Sequence, residues 1–170
     1  MSVTDVVGVV LTRPEVHPDD RGHFVEVFRA AQYPDTFVQA NHSRSRANVL
    51  RGLHYHRRQA DLWYVVSGRA QVGLVDLRAR GDGPVVDTLV LDGDQPASLY
   101  IPAGVAHGFL AMTAVDLIYW VTREYDATDE HGIAWNDPNL GIDWRTERPI
   151  VSARDRQNPD LEWDALPSFS

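Results

Sequence analysis

The chain has 170 residues, 44% of them hydrophobic and 24% charged, which is enough to bury roughly 70% of the unfolded surface around one core without a disulfide or metal staple. There is no Cys, and all 16 cationic residues are Arg, so disulfide frameworks, thiol nucleophiles, Schiff-base and lysine-base mechanisms are excluded. Twenty-four acids leave a formal charge of −8, which opposes binding to nucleic acid or an anionic membrane.

Gly and Pro recur every eight to twelve residues with β-branched runs between them. In chain order the runs predict strands over Val6–Leu11, His23–Phe28, Phe37–His42, Asn48–Tyr55 and Leu62–Ser67, then Ala70–Asp76, Val85–Leu91, Ala97–Ile101, His107–Ala111 and Val115–Val121. The first run is too short for a signal sequence and follows Asp5. No segment approaches the ~20 apolar residues of a membrane span, so a cytoplasmic protein is expected. Val66–Arg69 and Ala79–Gly83 read as turns. No window carries a helical period over twelve residues, and many short, evenly spaced strands indicate an all-β sandwich or barrel of jelly-roll type, with residues 1–170 as one domain. After about Tyr125 alternation fades, and Trp135, Trp144 and Trp163 fall in an irregular arm, read as packing over the barrel. His17, His23, His42 and His131 receive no role.

Two motifs carry chemistry. His54, His56, Asp61 and Gly68 have the spacing H-x-H-x4-D-x6-G, and Pro102, Gly104 and His107 give P-x-G-x2-H. Residues i and i+2 of a strand share a face, so His54 and His56 point the same way. Three imidazoles and a carboxylate suit a divalent first-row metal. The pair resembles the two cupin motifs, which implies a cupin-type jelly-roll barrel. It departs from them in having Asp61 in place of Glu, and Met112 in place of Asn near the end of the second motif.

The words around those motifs are more specific. Asp20-Arg21-Gly22-His23-Phe24-Val25-Glu26, Phe37 to Ser43, Asn48 to Tyr55, Ile101 to Phe109 and Trp135-Asn136-Asp137-Pro138 occur in that order. Together they resemble the dTDP-4-dehydrorhamnose 3,5-epimerase family, over about Val6 to Asp155. The resemblance implies a homodimer with an N-terminal strand reaching across, a nucleotide-sugar substrate and no required cofactor. It implies that His54 is the base, that Asp155 orients it, and that Tyr119 delivers a proton to the opposite face. Arg21 and Arg51 match positions that hold the diphosphate and sugar, with Glu26, Gln39, Asn41, Ser43 and His107 in the pocket.

The resemblance breaks at one position. Asp61 stands where the family has a Lys beside Leu62, the residue implied to stabilise the developing enolate oxygen. Three readings follow. Arg57 or Arg58 supplies the charge in an epimerase acting at C3, C5 or both. Alternatively, a divalent metal on His54, His56, Asp61 and His107 supports altered chemistry, as an isomerase, lyase or oxygenase. The third reading is a non-catalytic sugar-nucleotide-binding cupin. A metal on the free nitrogen of His54 would prevent that nitrogen from acting as the base.

Overall fold

Runs of Val, Leu, Ile and aromatic residues, broken by Gly and Pro, form two facing antiparallel sheets in the computed structural model, which describes residues 4–78, 83–166 and 169. The first sheet has the order β1 (Val10–Thr12), β9 (Ser98–Ile101), β6 (Asp61–Ser67), β11 (Val115–Val121), β4 (Gln39–Ser45). The second has the order β12 (His131–Gly132), β5 (Leu50–Tyr55), β10 (Val105–Ala111), β7 (Arg69–Asp76), β8 (Val85–Asp92). A separate hairpin pairs β2 (Val16–Asp19) with β3 (Gly22–Val25). The expected all-β sandwich is what forms.

The alternation that made these segments strands also distributes their side chains. Trp63, Val65, Val72, Leu74, Leu99 and Phe109 meet between the sheets. Leu50, Leu53, Leu77 and Leu110 face outward from the second sheet and are covered by the irregular arm through Trp144 and Val151. Each such buried aliphatic side chain contributes roughly 1.5–3 kcal/mol over an exposed one. The arm is seated at Gly73, where an added Cβ would lie 2.8 Å from the Trp144 ring. The indole N–H of Trp144 donates to the Trp135 carbonyl at 2.8 Å, so its polar atom is satisfied within the arm. The arm Trp residues therefore pack, as expected.

Eight of the ten expected strands overlap observed ones closely, Val115–Val121 matching in full, while His23–Phe28 is strand only over His23–Val25. The first expectation, Val6–Leu11, is largely corrected. Residues 6–8 form a turn that ends at Gly8 with φ 80°, and the Val9 N–H donates to the Val6 carbonyl. Strand β2 was not anticipated because Pro18 lies within it, and Pro lacks the N–H of a ladder residue. The turn expected at Gly68 joins β6 to β7 with φ 83°. Of the turn expected over Ala79–Gly83, residues 79–82 lie outside the described residues.

Candidate active site

A cavity of about 850 Å³ opens at one end of the sandwich, between the two sheets and the arm. Strand β4 supplies Gln39, Asn41 and Ser43, alternate residues that share one face. Across the same sheet, Tyr119 of β11 is in register with Asn41 on one side and with Trp63 of β6 on the other. Asp61 and Trp63 enter from β6, and His54, His56, His107 and Arg51 enter from the second sheet and the turn after β5.

A bulge in β5 brings Arg51 and His54 to one cavity. His107 pairs with His54 and Phe109 with Arg51, so Gly52 and Leu53 together oppose the single residue Gly108. On a regular strand Arg51 and His54 would project to opposite faces. The extra residue reverses that alternation, and Leu50 and Leu53 correspondingly share the outer, buried face. Gly is required here. Gly52 has φ 117°, and a Cβ on it would lie 2.7 Å from the Gly108 Cα.

His54 Nε2–H donates to Asp155 Oδ1 at 2.7 Å, and the Gly52 N–H donates to Asp155 Oδ2 at 3.2 Å. The bulge thus serves the carboxylate as well as the imidazole. Asp155 opens a short 3-10 turn over Asp155–Gln157, and its own N–H donates to Ser152 Oγ. Burial pushes the Asp155 carboxyl pKa up, but the His54 contacts, the Gly52 N–H and Ser152 outweigh it and hold the group below its ordinary value. An ionised carboxylate accepts only, so the ring proton is fixed on Nε2 and the Nδ1 lone pair is left for a substrate proton. Tyr119 has a pKa raised first by burial and then by the charges of Asp61 and Glu130, with Arg51 opposing. Its phenol stays protonated at neutral pH, as a proton donor must.

Asp61 and His107 are both buried. Asp61 Oδ1 accepts from Gln59 Nε2 at 2.8 Å, and Oδ2 accepts from Trp63 Nε1 at 3.2 Å. His107 Nδ1–H donates to the Val105 carbonyl at 2.9 Å, and its Nε2 lies 3.6 Å from Asp61 Oδ2. Burial lowers the His107 pKa to about 4, against an opposing pull from Asp61, so the imidazole is neutral at pH 7. His56 Nδ1–H donates to the Asp129 carbonyl at 2.9 Å. Among the described residues, one donor atom each from His56, Asp61 and His107 lies within 4.8 Å of the other two.

The cavity gathers most of the expected site: His54, Tyr119, Asp155, Gln39, Asn41, Ser43, Arg51 and His107. It does not gather Arg21 or Glu26 within this chain. Arg21 sits at the tip of the β2–β3 hairpin, 89% exposed and bound to Asp19 at 2.6 Å, and Glu26 is paired with Arg29 at 2.8 Å. Of the four expected metal ligands, His56, Asp61 and His107 lie together and His54 stands outside that cluster. Arg58 lines the cavity but its guanidinium is engaged by Asp126 at 2.8 Å, and Arg57 lies outside the cavity.

Sequence reasoning missed Gln59, Trp63 and Asp129. The first two stand at i−2 and i+2 from Asp61 and share its face, a signal that a period-two reading would have caught. Asp129 had none. Its buried carboxylate accepts the N–H groups of Arg57 and Arg58 from more than seventy residues away and holds the turn that carries His56.

Comparison with known proteins gives a consistent result. Residues 3–162 match the family described as dTDP-4-dehydrorhamnose 3,5-epimerase. The chain is 40% identical over 149 residues to the spore coat polysaccharide biosynthesis protein SpsL of Bacillus subtilis, covering 82% of this chain and 97% of that one. It is 39% identical to the dTDP-4-dehydrorhamnose 3,5-epimerase of Pseudomonas aeruginosa over 88% of both chains. Among solved structures it resembles the dTDP-6-deoxy-D-glucose-3,5-epimerase of Legionella pneumophila in complex with dTDP-4-keto-L-rhamnose. The TM-score is 0.88 at 32% identity, over 98% of this chain and 96% of that one. It also resembles ChmJ, a 3′-monoepimerase from Streptomyces bikiniensis in complex with dTDP-quinovose, with TM-score 0.86 and 27% identity over 94% of this chain and 87% of that one.

Proposed function

The chain belongs to the dTDP-4-dehydrorhamnose 3,5-epimerase family, and from that premise we propose that it inverts C3, C5 or both of a dTDP-4-keto-6-deoxyhexose. The observation that carries this reading is the His54–Asp155 pair at 2.7 Å, facing Tyr119 across one cavity. His54 Nδ1 removes the proton beside the C4 ketone and Asp155 balances the imidazolium that forms. The electron pair moves to the C4 oxygen as an enolate. Tyr119 then donates its proton to the carbon from the opposite face, the enolate collapses to the ketone, and the configuration is inverted. The reaction is redox-neutral.

Arg51 anchors the nucleotide. Its Nε–H donates to Ser45 Oγ at 2.9 Å, which aims the guanidinium into the cavity, where it can meet a phosphate through two parallel bonds. Gln39, Asn41 and Ser43 present neutral polar groups along the same wall for sugar or base. The remaining expected contacts, Arg21 and Glu26, fit a homodimer in which each hairpin reaches across to the other copy's cavity mouth. That arrangement is supported by a hairpin whose Phe24 is 68% exposed and whose two strands are too few to be stable alone.

Incubation with dTDP-4-keto-6-deoxyglucose in deuterated water, followed by NMR, tests the reading. Deuterium is expected at C3, C5 or both, and the pattern names the regiochemistry. His54→Asn is expected to abolish exchange at both positions. If substrate binds and no solvent deuterium enters, the chain is a binding protein and the epimerase reading fails.

A further inference from the structure

Asp61 and His107, both buried, and the half-buried His56 bring three potential ligand atoms together in the cavity. His107 and His56 each spend the Nδ1 proton on a backbone carbonyl, of Val105 and Asp129 respectively. The other ring nitrogen, Nε2, is therefore the atom each imidazole has left for a further partner. Asp61 adds a carboxyl group whose donors among the described residues are Gln59 and Trp63, both neutral. Its Oδ2 faces His107 Nε2 at 3.6 Å, beyond hydrogen-bond length. Among the described residues no Arg pairs with Asp61, and a buried carboxylate without a cation is costly.

We propose that His56 Nε2, His107 Nε2 and Asp61 Oδ2 form a binding site for one divalent first-row transition-metal ion. Two imidazoles and one carboxylate match the preferences of Zn²⁺, Co²⁺, Mn²⁺ or Fe²⁺. Donors about 2.1 Å from a common ion lie roughly 3–3.5 Å apart. The His107–Asp61 pair is already near that spacing, and the whole set lies within 4.8 Å. The groups that hold these side chains in place are also present. Two backbone carbonyls fix the imidazole tautomers, and the Gln59 and Trp63 donors orient the carboxylate. Three protein ligands at the cavity wall leave coordination positions open to a bound molecule.

The site is compatible with the proton chemistry, because the three clustered donors do not include His54, whose Nε2 is held by Asp155 and whose Nδ1 is left for a substrate proton. Cation and base therefore occupy one cavity without competing for a nitrogen. Resting on the epimerase reading, the ion has a defined role. It places positive charge beside the enolate oxygen in a chain with no Lys, and it turns Asp61 from a repelling neighbour into a ligand.

The test titrates Co²⁺ into the full-length protein after chelator treatment and dialysis, read by visible absorption and by metal analysis. One Co²⁺ per chain is expected, with Asp61→Asn and His56→Gln each weakening binding by about 100-fold and His54→Asn leaving it within about twofold. His56, at the cavity wall, decides the matter if Asp61→Asn does not fold. Absence of stoichiometric binding overturns the proposal, as does binding that His56→Gln leaves unchanged or that His54→Asn removes. A His107 found protonated at pH 7 by NMR in a protein that takes up no Co²⁺ assigns the cluster to a proton instead. Deuterium exchange on the same samples separates the two readings. Exchange indifferent to chelation removes the ion from the reaction while the Co²⁺ result stands. Co²⁺ binding without exchange in either form counts against the epimerase reading alone.

Discussion

At the scale of single residues the cavity divides its work between two carboxylates in opposite settings. Asp155 meets an N–H on each oxygen and one partner is an imidazole that will become charged, so ionisation is stabilised and the group holds His54 in one tautomer. Asp155→Asn is expected to lower the exchange rate by roughly 10²–10⁴-fold, while substrate affinity measured by calorimetry changes little. The depressed pKa of Asp155 also has a signed consequence for stability. The unfolded chain binds that proton more readily than the folded one, so the contribution is complete above the ordinary carboxylate range of about 4 and fades as pH falls through the lowered value. Thermal unfolding of the wild type and Asp155→Asn should show a difference that is constant from pH 6 to 8 and shrinks in acid. A difference that grows on acidification contradicts this account. Asp61 makes the complementary prediction: Asp61→Lys removes a metal ligand but supplies an ammonium. Deuterium exchange by that variant should be insensitive to chelator and at least about tenfold faster than in Asp61→Asn.

At the scale of elements, the site depends on one irregularity in β5. Gly52→Ala meets both a strained φ and the Gly108 backbone, and should cost roughly 2–3 kcal/mol in denaturant unfolding. Any folded fraction should lose exchange activity, because His54 and the Gly52 N–H move together. The strands themselves were legible, since Val–aromatic alternation between Gly and Pro states a period of two directly. The bulge was not, because a Gly-Leu pair looks the same in a regular strand, and only the partner's register shows the slip. For the same reason the convergence of Arg51 with His54 came from family resemblance, not from strand periodicity. The H-x-H spacing correctly put His54 and His56 on one side, yet it could not show that Asp155 claims the first of them. Asp129 lay beyond any local pattern, being tied to the Arg57–Arg58 turn only through the closed fold.

At the scale of the whole molecule, the β2–β3 hairpin pairs only with itself, and the arm joins the sandwich through the two-residue β12, a bridge at Ile150 and side-chain packing. If the hairpin crosses to a second copy, sedimentation should give a dimer, and Phe24→Asp should shift it towards monomer while raising KM more than it lowers kcat. The arm has a different dependence. It is seated by Trp144 against Gly73 and is continuous with the turn that presents Asp155, so the reactive pair joins residues 101 positions apart. Contacts of such long sequence separation pay loop-closure entropy before they return any stability. During refolding the sheets can therefore close, and the tryptophan core can report a compact protein, while His54 still lacks its partner. Return of catalysis should trail return of the β-sheet signal, which makes activity a clock for the docking of the last segment to arrive.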